Sequence, residues 1–157
     1  MESAVTGSHR SPESILPPQV ARLIDMALDE DLGRGDVTSE AIFLAHDTGR
    51  AVMLAKTDLV LSGLDVAMAV FARVDAATRC QRLQSDGARL KKGSEVLVVE
   101  GSIRALLAAE RTALNFVQRL SGIATLAQRY TELVAGTSAQ IVDTRKTAPG
   151  FRFLDKR

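Results

Sequence analysis

The chain has 157 residues, 46% of them hydrophobic and 25% charged, and its 20 basic against 19 acidic residues leave a net charge of +1. This is the profile of a globular protein and excludes a disordered chain. The near-even charge excludes a nucleic-acid footprint spread over a whole face, so any positive patch is local and suited to a small anion. One cysteine, Cys80, excludes an intramolecular disulfide and a cysteine-rich zinc site, in keeping with a reducing, cytoplasmic setting. No apolar run approaches a membrane span, and the opening residues show no secretory-signal pattern.

In chain order, residues 1–16 are expected to form a disordered tail. Pro17-Pro18 introduce Val20, Leu23, Ile24, Ala27 and Leu28 at helical spacing, which predicts a first helix starting near Pro18 and ending between Asp29 and Leu32. The run Asp31-Leu32-Gly33-Arg34-Gly35-Asp36-Val37-Thr38-Ser39 is too short, and too far from any strand, to be a phosphate loop; it reads as a polar turn with Asp36 or Thr38 capping the next element. Strands are expected within Gly49 to Lys56 and at Leu59-Val60-Leu61. A helix with Leu64, Ala67, Met68, Phe71 and Val74 on its core face comes next, followed by a strand pair of Arg79 to Gln84 with Glu95 to Glu100. Helices set against one face of short strands predict an α+β layer over residues 17–115. Lys91-Lys92 reads as a solvated turn, His9 and His46 lie too far apart to form a metal site, and Cys80 reads as a buried, inert thiol.

Ser102 is expected to cap a helix from Ile103 to about Leu120, with Ile103, Leu106, Leu107, Ala113, Leu114 and Val117 on one apolar face. Glu110 falls inside that stripe, which predicts an arginine, a backbone donor or a solvated opening beside it. Arg104, Arg111, Asn115 and Gln118 flank the stripe; Arg111 either snorkels from a core face or serves a site. Ser121-Gly122 is expected to interrupt this helix, and a second one runs to Gly136.

Ile141-Val142 then reads as a buried strand that ends at Asp143-Thr144-Arg145-Lys146-Thr147 and is stopped by Pro149-Gly150. Alternation places Asp143 and Arg145 on one face, with Thr144 and Lys146 on the other, and a twisted strand end can aim both cations into one anion-binding crevice. Helix, helix, glycine, strand is how a β/α unit begins, and in a barrel of such units the chemistry sits at the carboxyl ends of the strands. A closed barrel needs about eight strands and ~250 residues, so residues 116–157 are expected to supply only the start of a barrel belonging to a longer enzyme.

Glu110-Arg111-Thr112-Ala113-Leu114-Asn115, Leu120-Ser121-Gly122-Ile123-Ala124-Thr125, and Asp143-Thr144-Arg145-Lys146-Thr147 with Pro149-Gly150 and Arg152 resemble quinolinate phosphoribosyltransferase. The earlier Asp31 to Thr38 run and Ser62-Gly63 extend the likeness over nearly the whole chain from Pro17. The resemblance implies an N-terminal open-faced α/β sandwich followed by the first elements of an incomplete α/β barrel. It implies the conversion of quinolinate and phosphoribosyl pyrophosphate to nicotinate mononucleotide, pyrophosphate and carbon dioxide, with Mg2+ assisting. It also implies that Thr144, Arg145 and Lys146 bind substrate carboxylates, and that Arg111 reaches the neighbouring subunit's site in a homodimer.

No catalytic residue and no magnesium ligand is assigned in these residues. The chain as given is therefore expected not to catalyse the full reaction, and an unpaired barrel strand would leave backbone edges and apolar surface open. Competing readings are nicotinate phosphoribosyltransferase, a relative associated with molybdate uptake, and a non-catalytic anion-binding module.

Overall fold

A computed structural model describes residues 16–33, 35 and 37–157. The expectations for residues 1–15, including His9, and for an Asp36 or Thr38 cap lie outside the residues and side chains it describes. Leu16, the last residue of the expected tail, packs against the core.

Helix α1 (Pro18–Leu32) starts with proline in its first turn, where no intrahelical N–H is missed. It buries Val20, Ile24 and Leu28, one per turn. A short helix α2 (Val37–Ile42) leads into strand β1 (Thr48–Leu54), and β2 (Leu59–Val60) precedes α3 (Leu64–Val74). Strands β3 (Arg79–Arg82), β4 (Arg89–Leu90) and β5 (Glu95–Ser102) follow, then α4 (Ile103–Leu133) and the single turn of α5 (Arg152–Asp155). The main sheet is antiparallel in the order β1-β5-β3, with Ala51 opposite Val99 and Cys80 opposite the same residue on the other side. Four consecutive residues of the central strand β5, Val96 to Val99, are buried, whereas β1 and β3 stay largely exposed. A second, two-stranded sheet pairs β2 with β4. The result is an open-faced α/β sandwich, as expected.

α4 differs from expectation in three ways. Ser102 makes no side-chain cap; the Ile103 N–H is instead satisfied by the Asp47 carbonyl at 2.9 Å. The buried stripe is Leu106, Ala109, Ala113, Phe116, Val117 and Leu120, rotated from the expected one so that Leu107 is 42% exposed. Finally, Ser121-Gly122 does not break the helix, and the division expected between residues 115 and 116 falls inside it.

Tertiary hydrogen bonds explain that continuity. The buried Ser121 Oγ accepts the Ser62 N–H at 3.0 Å and donates to the Ser62 carbonyl at 3.2 Å. One turn later, Thr125 Oγ1 accepts the Val60 N–H at 2.8 Å and donates to the Ser121 carbonyl. Helix hydroxyls thus take the place of a neighbouring strand for β2 and the residues after it. Beside Ser62, Gly63 adopts φ +94°, and a Cβ there would lie 2.6 Å from Leu120 Cδ1. Only glycine allows that approach. The Gly63 and Leu64 N–H groups, at the start of α3, are both held by the Asp86 carboxylate at 2.8 and 3.1 Å.

The strand expected at Ile141-Val142 is not formed. Neither residue is in a strand, and they are 47% and 79% exposed. A strand persists only when its backbone groups find a ladder partner, and among the described residues none lies beside this pair. Facial alternation of Asp143 to Lys146 therefore does not apply.

Ser121→Ala is expected to cost about 1–3 kcal/mol by leaving the buried Ser62 N–H unsatisfied. In urea unfolding the midpoint should fall with the slope unchanged; an unaltered midpoint would remove the hydroxyl from this role.

Candidate functional site

The cation-bearing segment after α4 is held to the body by its downstream neighbours. Leu154 is 2% exposed in the core. Asp155 accepts Arg119 of α4 through both oxygens, at 3.1 and 2.8 Å. Arg119 also lies over the Phe151 ring, 4.6 Å from its centroid, and Phe151 packs at 6.1 Å from Phe116. Arg157 forks onto both oxygens of Asp65 at 2.8 and 2.6 Å, at the start of α3. Lys156 pairs with Asp143 at 2.8 Å, and Arg152 donates to the Arg145 carbonyl at 3.2 Å. Thr144 Oγ1 accepts the Lys146 N–H at 3.1 Å, a local turn that fixes the backbone between the two cations.

Arg145 and Lys146 are exposed, and among the described residues their side chains have neither a hydrogen bond nor a carboxylate partner. By contrast, Lys91, Arg119, Lys156 and Arg157 are each paired with an aspartate. Two adjacent cations without partners, on a backbone fixed by their neighbours, can take a multiply charged anion without first breaking an ion pair.

Arg111 lies on α4, where its NH1 donates to Asp31 Oδ1 of α1 at 2.6 Å. Asp31, Thr112, Asn115, Arg119 and Phe151 line one cleft of about 300 Å³. This cleft links the neighbourhood of Arg111 to the residues that anchor the cation-bearing segment. Glu110 points the other way and is exposed. It lines an open concavity of about 890 Å³ between β1 and α4, together with Leu107, Leu114 and Leu126; of the three expected companions, the solvated opening is the one found. Arg104 does not join a shared polar flank, because it is turned toward the Phe43 carbonyl.

The partnerships of Asp31 with Arg111 and of Arg119 with Asp155 were not visible in the sequence, since 80 and 36 residues separate their members. The one local sign is the run Asp29-Glu30-Asp31 at the negative end of α1, where acids are disfavoured unless something offsets them.

His46 is exposed, and among the described residues no group of three or more His, Cys, Asp and Glu side chains could hold a metal ion. No helix among the described residues is long and apolar enough to cross a membrane. Lys91 and the Lys92 N–H together hold the Asp58 carboxyl below its ordinary range, a turn brace with no further chemistry.

An open-faced sandwich joined by one long helix to a fixed segment with unpaired cations defines an α/β protein with a candidate anion site. The nicotinate-nucleotide pyrophosphorylase of Francisella tularensis superposes with a TM-score of 0.84 at 33% identity, over 90% of this chain and 51% of that one. NadC of Streptococcus pyogenes gives 0.85 at 39% identity, over 89% and 50%. The chain belongs to the quinolinate phosphoribosyl transferase family: residues 36–121 match the family's N-terminal domain and residues 123–157 its C-terminal domain. A probable nicotinate-nucleotide pyrophosphorylase (carboxylating) from Synechocystis is 38% identical over 150 residues, which is 93% of this chain and 50% of the relative. The Mycobacterium leprae nicotinate-nucleotide pyrophosphorylase is 43% identical over 137 residues, 85% of this chain and 48% of the relative. The chain thus spans about half the length of these curated relatives.

Cys80 is only partly buried, but desolvation pushes its thiol from 9.0 up to about 11. A folded-state value raised above the unfolded one makes the contribution to stability complete below the ordinary value and lost as pH climbs through the raised one. Stability should therefore decline between about pH 9 and 11, and Cys80→Ala should flatten this decline in chemical denaturation; an identical decline in the variant would assign it to other groups.

Proposed function

We propose that the whole protein is a quinolinate phosphoribosyltransferase, which joins quinolinate to phosphoribosyl pyrophosphate and releases pyrophosphate and carbon dioxide to leave nicotinate mononucleotide. The observation that carries this reading is the adjacent pair of unpartnered cations, Arg145 and Lys146, on a backbone fixed by Thr144, Arg152 and the Lys156–Asp143 pair. Quinolinate presents two neighbouring carboxylates. An arginine fork suits one, and a lysine offers a point charge to the other.

In this reading Thr144, Arg145 and Lys146 form one jaw of a dicarboxylate clamp, and Arg111 serves the site of a second copy in a homodimer. The clamp fixes the ring so that its nitrogen faces the anomeric carbon, a positioning effect. Once the nitrogen is alkylated, its positive charge stabilises the electron pair left on the ring carbon when the adjacent carboxylate leaves as carbon dioxide, and a proton then takes the carboxylate's place, so the loss itself needs no general base. The reaction draws on Mg2+ to offset charge on the departing pyrophosphate; its ligands would lie outside the described residues of this chain. A cytoplasmic location belongs to the same reading and is supported by a single free cysteine.

Titration calorimetry with quinolinate tests the clamp. Arg145→Ala is expected to weaken binding by about 2–3 kcal/mol, the size of a lost charge-assisted contact, and an unchanged dissociation constant would remove Arg145 from it. Arg111→Ala should abolish pyrophosphate release in a homodimer, yet activity should partly return in mixed dimers whose other chain carries Arg145→Ala. Without such rescue, the two residues do not belong to sites shared between subunits.

A further inference from the structure

We propose that Asp31 is a positioning residue, which holds the Arg111 guanidinium at the α1–α4 junction in the attitude in which it meets a substrate carboxylate; this rests on the function proposed above. The last turn of α1 carries Asp29, Glu30 and Asp31 and no basic residue. Acids there sit against the negative pole of the helix and weaken it. A helix built for stability alone would carry lysine or arginine in that turn. Asp31 is also partly withdrawn from water, with its side chain 17% exposed, so its oxygens call for a hydrogen-bond partner.

That partner is Arg111, whose NH1 lies 2.6 Å from Asp31 Oδ1. The exposures of the two are opposite: the carboxylate is sheltered, while the arginine is 74% exposed. The sheltered carboxylate holds one nitrogen of the guanidinium while the arginine side chain as a whole stays largely exposed. Thr112, next in sequence and 2% exposed, directs its hydroxyl toward the other Asp31 oxygen at 3.5 Å, which gives the carboxylate a rigid backing.

A long exposed arginine normally samples many rotamers, and an anion that binds it must stop that motion. Fixing the guanidinium beforehand removes this cost from binding. Asp31 lines the cleft shared with Asn115, Arg119 and Phe151. The carboxylate does not take part in the chemistry; it acts through Arg111.

The test uses Asp31→Asn, Asp31→Glu and the pair Asp31→Asn/Arg111→Ala in the full-length protein, with two readouts. In calorimetry, Asp31→Asn should weaken quinolinate binding about tenfold, Asp31→Glu should restore most of it, and Asp31→Asn should add nothing on the Arg111→Ala background. In side-chain NMR, the Arg111 Nη1–H group should be slow to exchange in the unsubstituted protein and in Asp31→Glu, and fast in Asp31→Asn. An unchanged dissociation constant accompanied only by a lower melting temperature would make the pair a staple and overturn the proposal, as would additive losses in the double variant. Absence of quinolinate binding to the unsubstituted protein would overturn the proposed function and the substrate role of Arg111 together. Unaltered Nη1–H exchange in Asp31→Asn would overturn the positioning alone.

Discussion

The fold depends on the way α4 completes the backbone hydrogen bonding of β2 and the residues that follow it. Ser121 and Thr125 each use one hydroxyl in both directions, accepting from the Ser62 and Val60 N–H groups and donating to the Ser62 and Ser121 carbonyls. Buried backbone groups tolerate no vacancy, so these contacts fix both the rotation and the depth of α4 against the sandwich. The contact of Gly63 with Leu120 sets the same depth from the packing side. Everything attached to α4 inherits that placement: Arg111 on one side, Glu110 and the open concavity on the other, and Arg119 further along.

Arg119 carries the placement into the segment beyond the helix. Its fork onto Asp155, a carboxylate side chain only 9% exposed, and its position over Phe151 make the turn of α5 an anchor. The buried Leu154 and the Arg157–Asp65 fork tie the same turn to the core and to α3. The stretch that carries Arg145 and Lys146 is thus bounded by fixed points without being part of a sheet. Positive charge stays available there because the aspartate nearest in sequence, Asp143, is already engaged by Lys156.

The places where the sequence misled share a cause. Ser121-Gly122 reads locally as a break, since glycine weakens a helix by about 1 kcal/mol and serine competes for its backbone bonds. The helix continues because Ser121 is needed by a residue 59 positions away. The apolar stripe of α4 was misplaced because the helix is apolar on more than one side: Leu106, Ala109 and Phe116 face the core, while Leu107 and Leu114 line the concavity. Periodicity counts apolar residues but does not record which face meets a partner. Ile141-Val142 has strand chemistry without a neighbour to pair with, and β propensity is realised only in a ladder.

The sequence by itself determined the elements whose causes are local. These are α1 behind its prolines, α3, the pairing of β3 with β5 across turn glycines, and the family likeness carried by ordered short motifs. Residue type marked Arg145 and Lys146 as an adjacent cation pair, while roles for Arg111 and Thr144 were implied only by the family likeness. The tertiary structure alone decided the continuity of α4, the absence of a strand at Ile141-Val142, the joining of Asp31 to Arg111 across 80 residues, and the anchoring of the cationic segment through Arg119. Each of these turns on which distant group satisfies a buried donor or a charge, and a linear pattern of residue types carries no record of that.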